Sequence, residues 1–272
     1  MHSAVLTMPL RVYAGPFRKE YERRTATLLE FATGAPDRPT ATEIHDLRVN
    51  IRRIQAMREL LPRLVRNDQG SKRFSAALKL VLRATSHVRD LDILRETLKA
   101  MGDMMPHVLL VNLENQRSDA AARARDALSM VVGVPQSDYR LQELKSKKLT
   151  KRMRKVSKRR LEAVKRISAP VLDDESRVSE LHALRKKVKQ LRYLLETVDR
   201  GSDELSVLTK SQEQLGSIHD WDVALLYIKE NSLDGKESLT GRLEKERRQA
   251  YLEFVSYWSL HTETELASLN PT

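Results

Sequence analysis

Two stretches far apart in the chain set a histidine and several cations at the same spacing. EIHDLRVNIRRIQAMREL (43–60) carries His45, Arg48, Arg52 and Arg53, and ELHALRKKVKQLRYLLET (180–197) carries His182, Arg185, Lys189 and Arg192. At a constant offset of 137 residues, His182, Arg185, Lys189 and Arg192 take the places of His45, Arg48, Arg52 and Gln55. Read as helices, His45, Arg48 and Arg52 fall within about 60° of one another, apart from the apolar stripe of Ile44, Leu47, Ile51, Ile54 and Leu61. A solvated face would intersperse acids to gain i, i+4 pairs; here Glu59 and Glu196 come only at the far ends. The chemistry such a stripe can do is to hold a multiply charged anion. Arginine forks grip phosphate oxygens in bidentate fashion and lysines act as point charges. Successive helical turns, about 5.4 Å apart, present them at a pitch comparable to one or two units of a phosphate polymer.

A second echo follows each stripe. VRDLDIL (88–94) matches IHDWDVA (218–224), which sets Asp90 and Asp92 opposite Asp220 and Asp222, with His219 in the place of Arg89. Carboxylates at i, i+2 do not share a helical face, so each pair reads as a helix break or cap. The role expected of the acids is to hold arginine or histidine side chains extended toward a ligand, with ordinary capping as the alternative. A third basic segment, KSKKLTKRMRKVSKRRLEAVKR (145–166), has twelve cations and one acid, Glu162. Leu149, Met153, Val156, Val164 and Ile167 give it an apolar stripe, which predicts a packed helix with a basic outer surface. Lys151, Arg152, Lys155 and Arg159 are its candidate phosphate contacts. Lys79 and Arg83 share a face further upstream and read better as solvated surface.

The elements that position these residues are helical. Glycine and proline are scarce and punctuate eight long segments with helical periodicity and no sustained alternation. They predict an all-α protein with helices near 17–33, 40–66, 71–100, 107–130, 139–168, 174–199, 203–231 and 237–262. Pro62 should kink or shorten the second, and the third and seventh should break near 87 and 217. Four helices precede VGVPQ and four follow, so the expected architecture is an extension (1–15) and two four-helix bundles (16–133 and 134–265) related by a pseudo-two-fold axis.

Composition limits the partners. The 272 residues hold 49 lysines and arginines against 37 acids, for a formal charge of +12 and a pI near 9.9. That favours a polyanion, whether nucleic acid, phosphate polymer or anionic membrane. There is no cysteine, hence no disulfide or thiolate chemistry. The start, MHSAVLTMPLRVYAG, does not read as a signal peptide, and no run approaches 18 apolar residues. A soluble, cytoplasmic protein is expected.

With both motifs duplicated in the same order, the chain resembles the CHAD domain, the conserved histidine α-helical domain, from about Pro16 to Thr262. The resemblance implies two pseudo-symmetric four-helix bundles that bind inorganic polyphosphate through basic residues lining a groove or passage, and an association with polyphosphate granules and their proteins. It carries over His45, Arg48, Arg52 and Arg53 in the first half and His182, Arg185, Lys189 and Arg192 in the second. Gln55 and Gln190 stand where the family usually has further basic residues, so one half is expected to bind more strongly. Neither cofactor, metal nor catalysis is expected. Two other readings are weighed against this one. A His/Asp phosphohydrolase would need His45 and Asp46 to converge, yet they point about 100° apart on a helix with cations close by. A nonspecific nucleic-acid binder shares the charge argument, but aromatic content is 5% and no base-stacking motif is evident. Other long polyanions, RNA included, remain expected side ligands.

Overall fold

Thr40 begins the first motif helix with a reciprocal cap. Its hydroxyl accepts from the Glu43 backbone N–H at 3.2 Å, and the Glu43 carboxylate accepts from the Thr40 N–H at 2.7 Å. That helix ends two residues before Pro62, whose ring cannot continue it, and a five-residue turn of helix follows. The structure, a computed structural model, describes residues 10–100, 107–134, 139–198, 202–230 and 236–265, and the principal elements there are helices. They are α1 (Ala14–Thr33), α2 (Ala41–Leu60), α3 (Arg63–Asn67), α4 (Gln69–Lys99), α5 (His107–Val132), α6 (Ser146–Leu172), α7 (Val178–Leu195), α8 (Asp203–Glu230) and α9 (Lys236–Glu265). Among the described residues there is no strand. The fold is all-α, with eight long helices among the described residues.

Three expectations are corrected. α4 and α8 run unbroken past residues 87 and 217, and neither aspartate pair is a cap or a break. The reason is continuous burial: Val81, Leu82, Thr85, Val88, Leu91 and Leu94 keep one face of α4 inside the protein, so nothing favours interrupting it. α6 starts at Ser146, after a 3-10 turn over Tyr139–Glu143, instead of at 139. α7 starts at Val178 instead of 174, because the Asp174 carboxylate accepts from the Ser176 N–H (2.9 Å) and hydroxyl (2.6 Å), closing a local turn.

The apolar stripes are buried as the periodicity requires, with Ile44, Ile51, Ile54, Leu184, Val188 and Leu191 fully enclosed. The two halves do not keep separate cores. One hydrophobic cluster joins Ile51, Ile54 and Leu78 of the first half to Leu184, Val188 and Leu208 of the second; another joins Ile44, Val88 and Leu91 to Ala224, Leu225 and Ile228. The helices pack in the order α2, α4, α8, α7 and back to α2, so the junction of the halves is itself a ring of four helices. α5 and α9 flank it on α4 and α8, and α6 lies outside it against α7 and α2. The start of α1 and the residues just before it also join the second half: the Val12 and Ala14 N–H groups donate to the Thr150 and Ser146 hydroxyls, both at 3.0 Å.

The second acid of each pair closes a matched clamp. The Asp92 carboxylate accepts from Arg117 Nε at 2.5 Å, and Arg117 Nη2 donates to the Pro39 carbonyl at 2.7 Å. In the other half Asp222 accepts from Arg247 Nε at 2.6 Å, and Arg247 Nη2 donates to the Glu175 carbonyl at 2.8 Å. Each clamp ties α5 or α9 to α4 or α8 and to the chain entering α2 or α7. Asp92 and Asp222 do hold arginines, but those arginines are fixed on backbone carbonyls and are not extended toward a ligand. The shared contacts accord with an internal two-fold relation.

Candidate functional site

The four-helix ring brings the two basic stripes together. Lys189 on α7 lies in the field of Arg185 on its own helix and of Arg52 and Arg48 on α2. Arg48 lies near Arg52, Asp90 and Arg89, and Arg185 near Asp220, Asp90 and Arg89. Side chains of α2, α4, α7 and α8 therefore share one cationic seam. Arg48, Arg89, Arg185 and Lys189 are half-buried in it, and His45, Arg52 and Asp90 are exposed along it.

Local contacts aim the arginines differently in the two halves. Arg48 Nη1 donates to the Leu82 carbonyl at 2.7 Å and to the Thr85 hydroxyl at 2.9 Å, which pins it to α4. At the offset of 130 that relates Asp90 to Asp220, Leu215 occupies the place of Thr85 and offers no acceptor. Arg185 Nε is buried with no hydrogen-bond partner in the protein, as is Oδ1 of Asp220. An unpaired buried donor is uncommon and leaves Arg185 with unmet capacity for an anion.

The electrostatics are those of a site in which cations outnumber the two carboxylates, Asp90 and Asp220. Burial first, and then the neighbouring Arg185, Arg52 and Arg48, push the Lys189 ammonium from 10.5 down to about 7. Burial and Arg52 bring Arg48 down to about 10 despite Asp90. His182 and His219 meet Nδ1 to Nδ1 at 3.1 Å, an arrangement that needs at least one neutral ring. Burial, with Arg185 next, takes His219 down to about 3, and burial also lowers His45 and His182. Asp220 is raised to about 6 by burial, which outweighs its arginine neighbours. Burial likewise raises Asp90, which lies close to protein atoms although exposed at the seam.

Other candidates lie elsewhere. Arg53 donates from Nε to Glu196 at 2.9 Å, and Arg192 donates to the other oxygen of Glu196 and, at 2.7 Å, to Gln212. One carboxylate thus neutralises Arg53 of α2 and Arg192 of α7, the second of which faces the seam in the helical projection. On α6, Arg152 donates to the Glu59 carbonyl and has Arg66, Glu59 and Arg159 as its charged neighbours, none of them in the seam. Lys151, Lys155 and Arg159 are exposed, and Arg159 lies 3.9 Å from Glu59. Lys79 and Arg83 are exposed on α4.

A protein-family profile for the CHAD domain matches residues 22–225. The chain belongs to the CHAD domain family. Its fold is similar to the crystal structure of the CHAD domain from the plant Ricinus communis, with a TM-score of 0.51 at 15% identity, covering 99% of this chain and 96% of that one. At that identity the likeness is one of fold. No match was found among curated proteins.

Two features of this CHAD domain escaped the sequence reading. Arg89 lies amid the seam, yet only its position opposite His219 was noticed. The clamp arginines had a legible signal: LENQRSDA (113–120) and LEKERRQA (243–250) share L-E-x-x-R-x-x-A at the same offset of 130 as the aspartate pairs.

The perturbed groups make anion binding proton-linked. A bound polyanion stabilises the charged form of Lys189 and the neutral form of Asp220, so both take up protons on binding. The gain begins as pH falls through their bound-state values and is complete below about 7 for Lys189 and about 6 for Asp220. Affinity for a polyanion whose own charge is constant should rise about tenfold or more between roughly pH 8.5 and 6. Fluorescence titrations across that range should show the rise, with a shallower slope in Lys189→Met. A flat profile would show that these groups do not face the ligand.

Proposed function

We propose that this protein binds inorganic polyphosphate along the seam between its two halves, with Arg48, Arg52, Arg185 and Lys189 as principal contacts, Arg89 beside them, and His45 and His182 at the edge. The observation that carries this reading is the convergence of four cationic side chains from both repeats on one strip, where burial first and the neighbouring cations next bring Lys189 down to about 7. Placing these like charges together is unfavourable for the empty protein and becomes favourable only when a polyanion neutralises them. A phosphate polymer carries about one charge per unit and no bases, so it asks for cations at regular pitch and nothing more.

Two observations weigh against the other readings. Asp92 and Asp222 are committed to Arg117 and Arg247, and Asp90 and Asp220 lie beside Arg48 and Arg185, a setting that repels the divalent cation a phosphohydrolase needs. Tyr193, an aromatic neighbour of the seam, is buried beneath Arg192 and offers bases no open stacking face. Among the described residues no helix is long and apolar enough to cross a membrane.

The test is a titration at fixed salt comparing long-chain polyphosphate, pyrophosphate, RNA and duplex DNA. Long-chain polyphosphate should bind tightest, with affinity rising with chain length and then flattening once the polymer spans both halves. Log affinity should fall about linearly with log salt as counterions are released. Equal affinity for pyrophosphate would remove the polymer-binding reading. Metal-dependent phosphate release lost in Asp90→Asn or Asp220→Asn would replace it with an enzyme.

A further inference from the structure

The α6 cations do not belong to the seam. Lys147, Lys151, Arg154, Lys158 and Lys165 lie within about 60° of one another on the outer face of α6, and all five are exposed. Among the described residues none of them has an ion-pair partner. Glu162 is the one acid on the helix, and the basic track from Lys147 to Arg166 extends about 28 Å along the axis. Round the helix from the C-terminal end of the track, a pocket of about 410 Å³ lies between α6 and α7, lined also by Glu59 of α2. Arg159, Arg160, Arg166 and Lys187 supply the pocket's cations, Glu59 and Glu162 its acids, and Gln190 a polar amide. Arg160 is already fixed there by Glu59 at 2.5 Å and by the Gln190 carbonyl.

A buffering surface would pair these charges with glutamates, as α1 does with Arg23 and Arg24 on Glu20. α6 leaves them unpaired along a straight line. It also lies outside the four-helix ring, with α2 and α7 between it and α4 and α8. We infer that the outer face of α6 is a second and independent polyphosphate-binding surface, with the cations of the neighbouring α6–α7 pocket beside it, so that one protein molecule engages two polymer segments at once. This rests on the seam reading for the identity of the polymer but on separate residues for the site. Two surfaces on different sides of one molecule make it a bridge between polymer strands.

Two variants separate the surfaces. One combines Lys151→Gln, Arg154→Gln, Lys158→Gln and Lys165→Gln on α6, where the side chains are exposed and glutamine preserves helix propensity. The other combines Arg185→Gln and Lys189→Gln in the seam. Calorimetric titration with a polyphosphate oligomer about as long as the α6 track should give two binding events per wild-type chain and one in each variant. Donor- and acceptor-labelled long-chain polyphosphate should show energy transfer with the wild type and lose most of it with either variant, while circular dichroism stays unchanged. One event in the wild type, or two in the α6 variant, would overturn the inference. If the α6 variant loses an event and the seam variant loses none, the seam reading fails and the α6 assignment stands. Tighter capture of RNA than of polyphosphate by the α6 face would overturn the choice of polymer.

Discussion

Replacing Arg48, Arg52, Arg185 and Lys189 together by alanine is expected to weaken long-chain polyphosphate binding by about 1,000-fold or more. Hydrogen bonds to charged groups contribute roughly 1.5–3 kcal/mol each, so even at the low end four lost contacts exceed that factor. The same number of neutralised cations at Lys72, Arg73, Lys79 and Arg83, all exposed on α4, should cost about tenfold at most, through the general field alone. Equal losses from the two sets would mean diffuse attraction and no defined site. The fold should survive because these side chains lie off the apolar stripes. Lys189 should even oppose folding near neutrality. Its folded value lies below its unfolded one, so the unfolded chain binds more protons and stability falls as pH drops from 10.5 toward about 7. Lys189→Met alone should therefore raise the thermal midpoint at pH 7 by a few degrees while reducing affinity, separating the role in binding from any role in folding.

Asp92→Asn is expected to have the largest effect on stability, about 3–5 kcal/mol, because it strands a buried guanidinium. The Asp92 and Arg117 side chains are 1% and 10% exposed, so water cannot replace the lost carboxylate. The equivalent Asp222→Asn should cost less, about 1–2 kcal/mol, since at 15% and 12% exposed its pair is better hydrated. Urea unfolding of the two variants would check the order, and a larger loss from Asp222→Asn would contradict the account of burial. Both variants, where folded, should keep polyphosphate affinity within about threefold, because neither clamp reaches the seam.

The sequence by itself determined the all-helical class, the duplication and the residues that share a face. Each of these depends only on the period of one helix and on the absence of breakers, so Ile44, Ile51, Leu184 and Val188 could be placed inside from spacing alone. The aspartate pairs were found and expected to hold basic side chains, with capping as the alternative, but period alone does not reveal that the arginine waits 25 residues downstream and is fixed on a backbone carbonyl. The two halves also differ in spacing: Asp90 follows His45 by 45 residues and Asp220 follows His182 by 38, with α3 lying within the longer span. Only the tertiary structure decided which cations form one site. A helical projection fixes a side chain's angle about its own axis and says nothing of which neighbour fills that direction. Arg53 and Arg192 were taken up by Glu196, the α6 cations were left on an outer face, and Arg89 was drawn in beside Arg48 and Arg185. The depressed charge state of Lys189 has the same origin, since it needs the burial and the nearness of Arg52 and Arg48 that come from packing α2 and α7 side by side.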